Sequence, residues 1–162
     1  MTLFPLFIST TELRGGAAIA AHRLYTGLHK IDVPARMLVY FKQSHDPDVI
    51  QAQDAGSRWQ HQRLKWSVGV DKQPLKLLYP SRHTSQYWSL NWLPGVTHQV
   101  INEQSPDVVH LHWIGDGFLP LQSFSYIQAP IVWTLHDYWA FTGGCHYPEG
   151  CQRYQQGCGH CP

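Results

Sequence analysis

The chain has 162 residues, 43% of them hydrophobic and 14% charged, with 12 Lys+Arg against 11 Asp+Glu and a formal charge of +1. This length holds one domain with a real core and is short for two, and the composition excludes a disordered chain. The near-neutral balance leaves no strong electrostatic footprint for nucleic acid. Eleven histidines and seven tryptophans stand out, and both residue types suit polar pockets that bind ring-shaped ligands.

In chain order, "LFPLFIST" (3–10) reads as a buried parallel strand because it is nearly continuously apolar. Ala17, Ala20, Ala21, Leu24, Leu28 and Ile31 then repeat at spacings of mostly three and four, which predicts a helix with one apolar face. His22, Arg23, Thr26, His29 and Lys30 fall mainly on its other side. Pro34 stops that helix, and "ARMLVYF" (35–41) is the next strand, completing a β–α–β unit opened by paired glycines. Residues 44–95 give no clean period, although "SRWQHQRLKWSV" (57–68) suits a helix. From Pro94 a helix is expected to Glu103, followed by "PDVVHLHW" (106–113) as a strand. "GFLPLQSFSYIQ" (117–128) follows as a short interrupted helix, and "PIVWTLHD" (130–137) as a strand. Strands alternating with helices predict an α/β, Rossmann-like fold with a mostly parallel, doubly wound sheet.

The N-terminus lacks the basic region, long apolar stretch and cleavage site of a signal peptide, and no run reaches the length of a membrane span. The expected location is therefore cytoplasmic, with attachment to the inner membrane face as the one further option.

Ligands of such sheets bind outside the carboxyl ends of the strands, and three features of the sequence fall there. "RGG" (14–16) sits between the first strand and helix, where Gly15 and Gly16 allow close backbone approach and helix amides attract anions. The plain alternative is a tight turn. In "HLHW" (110–113), His110 and His112 share one strand face, and Asp116 follows in a glycine-flanked loop. "TLHD" (134–137) puts His136 and Asp137 just past an apolar strand. A single such histidine usually just bonds a backbone carbonyl. Three features at one sheet edge point to a polar site for an anionic, hydroxyl-rich ligand.

"GGAAIAAHRL", "PDVVHLHWIGDGFL" and above all "PIVWTLHDYWAFTGGCHYPEGCQRYQQGCGHCP" resemble the N-terminal part of a bacterial family-4 glycosyltransferase. The nearest subgroup carries a TLHD-W-FTGGCHY…C…CG-CP segment. The resemblance implies the GT-B fold, in which two Rossmann-like domains face each other across a cleft. It implies transfer of a sugar, of the hexosyl kind, from a nucleotide-sugar donor to a saccharide or lipid-linked acceptor. Transfer would retain configuration and need no metal cofactor. The implied biological setting is polysaccharide biosynthesis. Residue by residue, the family's glycine loop matches Gly15 and Gly16, facing the donor diphosphate. Its strand-end histidine matches His136, near the transferred sugar, with Asp137, His110, His112 and Asp116 as further site candidates.

The family's donor-binding Glu-x7-Glu pair has no match, because Glu12, Glu103 and Glu149 are the only glutamates and no two are eight apart. The expectation is one acceptor-side domain over 1–162 with a cysteine-rich loop at 142–162. The C-terminal donor-binding domain would be absent, and the chain alone inactive.

All four cysteines, Cys145, Cys151, Cys158 and Cys161, are spaced C-x5-C-x6-C-x2-C. Four thiolates within 17 residues can hold a structural zinc, with His146 and His160 as spare ligands. Free thiols, or disulfides formed only on oxidation, are the alternatives. Two rival functions follow: a non-catalytic zinc-binding interaction module, and one subunit of a split glycosyltransferase completed by a separately encoded half. Trp59, Trp66, Tyr87, Trp88 and Trp92 interleave with Arg58, Arg63, Lys65 and Arg82. Such a stretch either packs a helix and a loop on the sheet or forms an interfacial or acceptor-facing surface.

Overall fold

The computed structural model describes residues 3–80 and 87–158. Strands β1 (Pro5–Thr11), β2 (Arg36–Phe41), β3 (Val49–Gln51), β4 (Val108–Leu111) and β5 (Ile131–Trp133) form one sheet. Their order is β3-β2-β1-β4-β5, and every neighbouring pair is parallel. Four helices accompany them: α1 (Gly16–His29), α2 (Arg58–Val70), α3 (Gln73–Leu78) and α4 (Thr97–Glu103). The α/β, Rossmann-like reading holds, and all five described strands are parallel.

Alternation along the strands divides the core. Phe7, Met37, Val39 and Val49 face α1, meeting Ala21 and Tyr25. Leu6, Ile8, Leu38, Val109 and Leu111 point to the other face, where Leu64 of α2 and Val100 and Ile101 of α4 cover them. Side chains of successive strand residues point to opposite faces, so a strand buried on both sides must be apolar throughout. The first half of β1, Pro5–Ile8, meets that demand, and the polar Ser9 and Thr10 that follow are buried too.

Some elements depart from expectation. On α1 the buried residues are Ala18, Ala21 and Tyr25, whereas Leu24, and Ile31 beyond the helix end, are exposed. The helix is rotated because Tyr25 satisfies two demands at once. Its ring packs edge-on against Phe7, and its hydroxyl donates to Asp46 Oδ2 at 2.8 Å. Strand β3 and helix α3 lie in the stretch that showed no period, and both are short. The segment 117–128 is a 3-10 helix over Leu121–Tyr126 rather than an α-helix. Helix α2 begins where expected, at a Ser57 capping box closed by Gln60. No helix among the described residues is long and apolar enough to cross a membrane.

Candidate functional site

The chain winds from β1 outward to β3 on one side and from β4 to β5 on the other. The loops after β1 and β4 therefore diverge, opening a crevice at the carboxyl ends of the strands. A cleft of about 810 Å³ lies there, with Gly15, Gly16, Asp116, His136 and Asp137 among its lining residues. Five of the sequence-predicted positions thus share one cavity. The buried Thr10 ties the end of β1 to the segment after β4. Its amide donates to Trp113 O at 2.8 Å and its hydroxyl to Gly115 O at 3.0 Å.

The wall formed by the β1–α1 loop is open. Gly15 has φ 91° and ψ 160° and precedes α1 without any side-chain cap. That backbone region belongs to glycine. A Cβ added at Gly15 or Gly16 would meet none of the described residues within 4 Å. The first-turn amides of α1 are thus presented to open space, with the partial positive charge of a helix start. Arg14 and Lys42 line the same cleft.

The facing wall is closed by hydrogen bonds. His146 Nδ1 lies 2.6 Å from Asp137 Oδ2, and its Nε2 lies 2.9 Å from Ser89 Oγ. With the Nδ1 proton donated to the carboxylate, a neutral ring leaves Nε2 bare to accept the Ser89 hydroxyl proton. The Ser89 oxygen in turn accepts the Asp116 amide at 2.9 Å. Asp137 also accepts from Trp113 Nε1 at 3.1 Å and from the Trp139 amide at 2.9 Å. Burial raises the Asp137 pKa, but these donors outweigh it and the net shift is downward. Carboxylate, imidazole and hydroxyl stand in the order of an acyl-transfer triad. Ser89, however, is fully buried, and its oxygen is already engaged, so no substrate carbonyl reaches it. The network sets the shape of the wall.

Behind this wall the histidines stack. His136 Nε2 is 2.9 Å from His112 Nδ1, with the rings stacked at 5.1 Å. His112 packs on His110 at 4.4 Å, and His110 bonds Thr134 Oγ1 at 2.8 Å. Both strand histidines share one face, as their spacing requires, and both pack on Phe7. Neither lines the cleft. His110 instead borders an apolar groove of about 400 Å³ with Leu24, Leu28 and Val132. Burial, followed by the neighbouring His110 and His136, pushes His112 down to about 3, and its Nε2 has no hydrogen-bond partner among the described residues. Burial also lowers His136, against a smaller upward pull from Asp137. His136 is thus a neutral ring held through Nε2, with no partner recorded for Nδ1 among the described residues.

The middle segment supplies support that sequence reasoning missed. Asn91, buried with φ 47°, donates to Ile114 O and Leu119 O and accepts the Gly117 amide at 2.7 Å. Asp71 receives the Leu90 and Asn91 amides at 3.0 and 2.6 Å. Its pKa is nevertheless raised, because desolvation by burial outweighs those donors. Asp116 is held by Lys72 at 2.9 Å and by the Tyr87 hydroxyl at 2.5 Å. Glu12 accepts the Gln43 and Ser44 amides, fixing the loop after β2. The sequence carries no periodic signal for these roles, and Asn91 between Leu90 and Trp92 looks like many loop residues.

The cysteine loop closes over the same end of the sheet through an isolated antiparallel bridge between Cys145 and Trp88. Among the described residues no group of three or more His, Cys, Asp or Glu side chains could hold a metal ion. His146 is not a spare ligand, since both ring nitrogens are engaged. Cys145 and Cys151 are partly buried and Cys158 is exposed, while Cys161, His160 and Arg82 lie outside the described residues.

The chain is similar to the putative colanic acid biosynthesis glycosyl transferase WcaC of Escherichia coli (strain K12). Identity is 35% over 66 residues, a match covering 35% of this chain and 16% of the relative. The similarity supports a relationship to glycosyltransferases. No protein-family model matches the chain, and no solved structure matches it.

Proposed function

We propose that the chain is the acceptor-side, N-terminal part of a GT-B glycosyltransferase of family 4. It would act on a nucleotide-sugar donor and a saccharide or lipid-linked acceptor, with retention of configuration. One observation carries the reading: the uncapped start of α1 at Gly15 and Gly16 and the ring of His136 line the same strand-end cleft. A diphosphate leaving group needs N–H donors and positive charge as its bond to the sugar breaks. The Gly15–Gly16 wall and Arg14 offer both. The carboxylates that would repel it are committed, Asp116 to Lys72 and Tyr87, and Asp137 to His146 and Trp113. His136, held by His112, keeps its second nitrogen for a sugar hydroxyl. Asp137 acts one step back, as the residue that positions His146 and the wall. No side chain in the cleft is assigned as a general base.

The test is a titration of the chain with nucleoside diphosphates, followed by backbone amide NMR. Shifts should concentrate at residues 14–18 and at His136. His136→Ala should weaken sugar-nucleotide binding relative to the bare diphosphate while leaving the unfolding temperature almost unchanged. In a protein carrying a donor-binding half, the same variant should lose about 100-fold or more in turnover. Shifts spread away from the cleft, or a variant that unfolds early yet turns over normally, would remove the reading.

A further inference from the structure

His136 and His112 meet through one pair of nitrogens. His136 Nε2 lies 2.9 Å from His112 Nδ1, and the two ring planes are within 27° of parallel. Burial keeps both rings neutral near pH 7, His112 the more strongly. A neutral imidazole holds one proton, so one of the facing nitrogens donates and the other accepts. The surrounding hydrogen bonds decide which.

The decision lies at the far nitrogen of His112. This residue is 2% exposed, and its Nε2 has no hydrogen-bond partner among the described residues. Phe7 and His110 pack beside the ring, tilted 32° and 38° from its plane. At such tilts an N–H in the plane of His112 runs alongside both neighbours and points into neither ring face. If His136 donated, the proton of His112 would sit on Nε2, a buried N–H with neither oxygen nor ring to receive it. If His112 donates from Nδ1, its Nε2 is left as a bare lone pair among rings. Orphaned buried N–H groups are rarer in folded proteins than under-satisfied acceptors. The packing favours the second arrangement.

We propose that His112 is a positioning residue, donating from Nδ1 to His136 Nε2 and thereby fixing His136 with its own proton on Nδ1. That nitrogen has no partner among the described residues, and the exposed ring of His136 lines the cleft. Free histidine in water prefers the opposite form, so His112 holds His136 in its less common tautomer. His136 therefore meets a substrate as a hydrogen-bond donor to an oxygen lone pair. It takes no proton from a hydroxyl while His112 holds it, because Nδ1 is already protonated and the lone pair of Nε2 is engaged. That the oxygen belongs to a sugar or a diphosphate rests on the proposed function. The place of the proton does not, and it is read in the free protein, so either can fail without the other.

The test is a long-range proton–nitrogen correlation spectrum of the full 162-residue chain, labelled with nitrogen-15 in histidine and recorded near neutral pH. His136→Ala identifies the His136 ring by the signals it removes. His136 should show a protonated Nδ1 and a bare Nε2, and so should His112. His112→Leu removes the donor, and the His136 Nε2 signal should move toward the range of a protonated nitrogen. His112→Asn puts a side-chain N–H where Nδ1–H stood and should keep His136 protonated on Nδ1. A role in packing alone would change the unfolding temperature in both variants without sorting the tautomer by donor. His136 protonated on Nε2 in the unaltered chain overturns the proposal. So does a His136 spectrum that is the same in the unaltered chain and in His112→Leu.

Discussion

The two walls of the cleft are built on opposite principles. Among the described residues, the wall at Gly15 and Gly16 has no side-chain cap and no contact within 4 Å of an added Cβ. The wall at Asp137 and His146 has nearly every polar atom engaged inside the protein. A surface that keeps its donors unspent is prepared for a ligand, and a surface that has spent them is prepared to hold a shape. Damage should therefore appear as lost stability on one wall and lost binding on the other.

The largest effect is expected at His146. His146→Ala deletes a buried ring and strips partners from Asp137 and Ser89, at about 3 kcal/mol. Denaturant unfolding should show it, and any ligand binding should fall with the folded fraction. A His146 variant with unchanged stability would erase the contrast between the walls.

The glycines sharpen it. Gly15→Ala forces a Cβ into φ 91° and should lose about 1–2 kcal/mol. Gly16 has open space and no positive φ, so Gly16→Ala should leave the unfolding midpoint the same or slightly higher. If the open wall binds a diphosphate, Gly16→Ala should still weaken that binding, because the methyl stands where the ligand approaches. Equal unfolding midpoints for the two variants would contradict the backbone geometry.

The histidine stack gives the smallest effect at neutral pH, and one that grows as the pH falls. His112 is held neutral in the folded state, down to about 3, while the unfolded chain protonates it near the ordinary histidine value. Below that value the unfolded state binds more protons, so stability falls as pH falls from about 6.5 toward 3, by roughly 1 kcal/mol per pH unit. His110 and His136, also lowered by burial, add to the same slope. His112→Gln should flatten the dependence measured by thermal unfolding between those limits.

The first β–α–β unit and the strand carrying His110 and His112 were legible because period-two and period-3.6 patterns leave a repeated mark. So were the five positions that line the cleft, since strand ends of a parallel sheet are where ligands bind. Tyr25 was absent from the expected apolar face of α1, because a ring with a polar tip counts as neither inside nor outside until Asp46 is found beside it. Ser89, Asn91 and Asp71 could not be found at all. Their partners lie 19 to 57 residues away, and a single polar residue has no period.

By itself, the sequence determined the order and type of the main elements, the parallel sheet, and which loops meet at its carboxyl edge. Those follow from local propensity and the alternation of apolar residues, which each segment carries alone. Tertiary structure alone decided that His110 and His112 stand behind the cleft. It alone made His146 a buried partner of Asp137 rather than a spare metal ligand, and left Trp59 and Trp66 facing outward. Those outcomes depend on which distant groups satisfy each buried donor and acceptor, and on which helix face the sheet has room to cover.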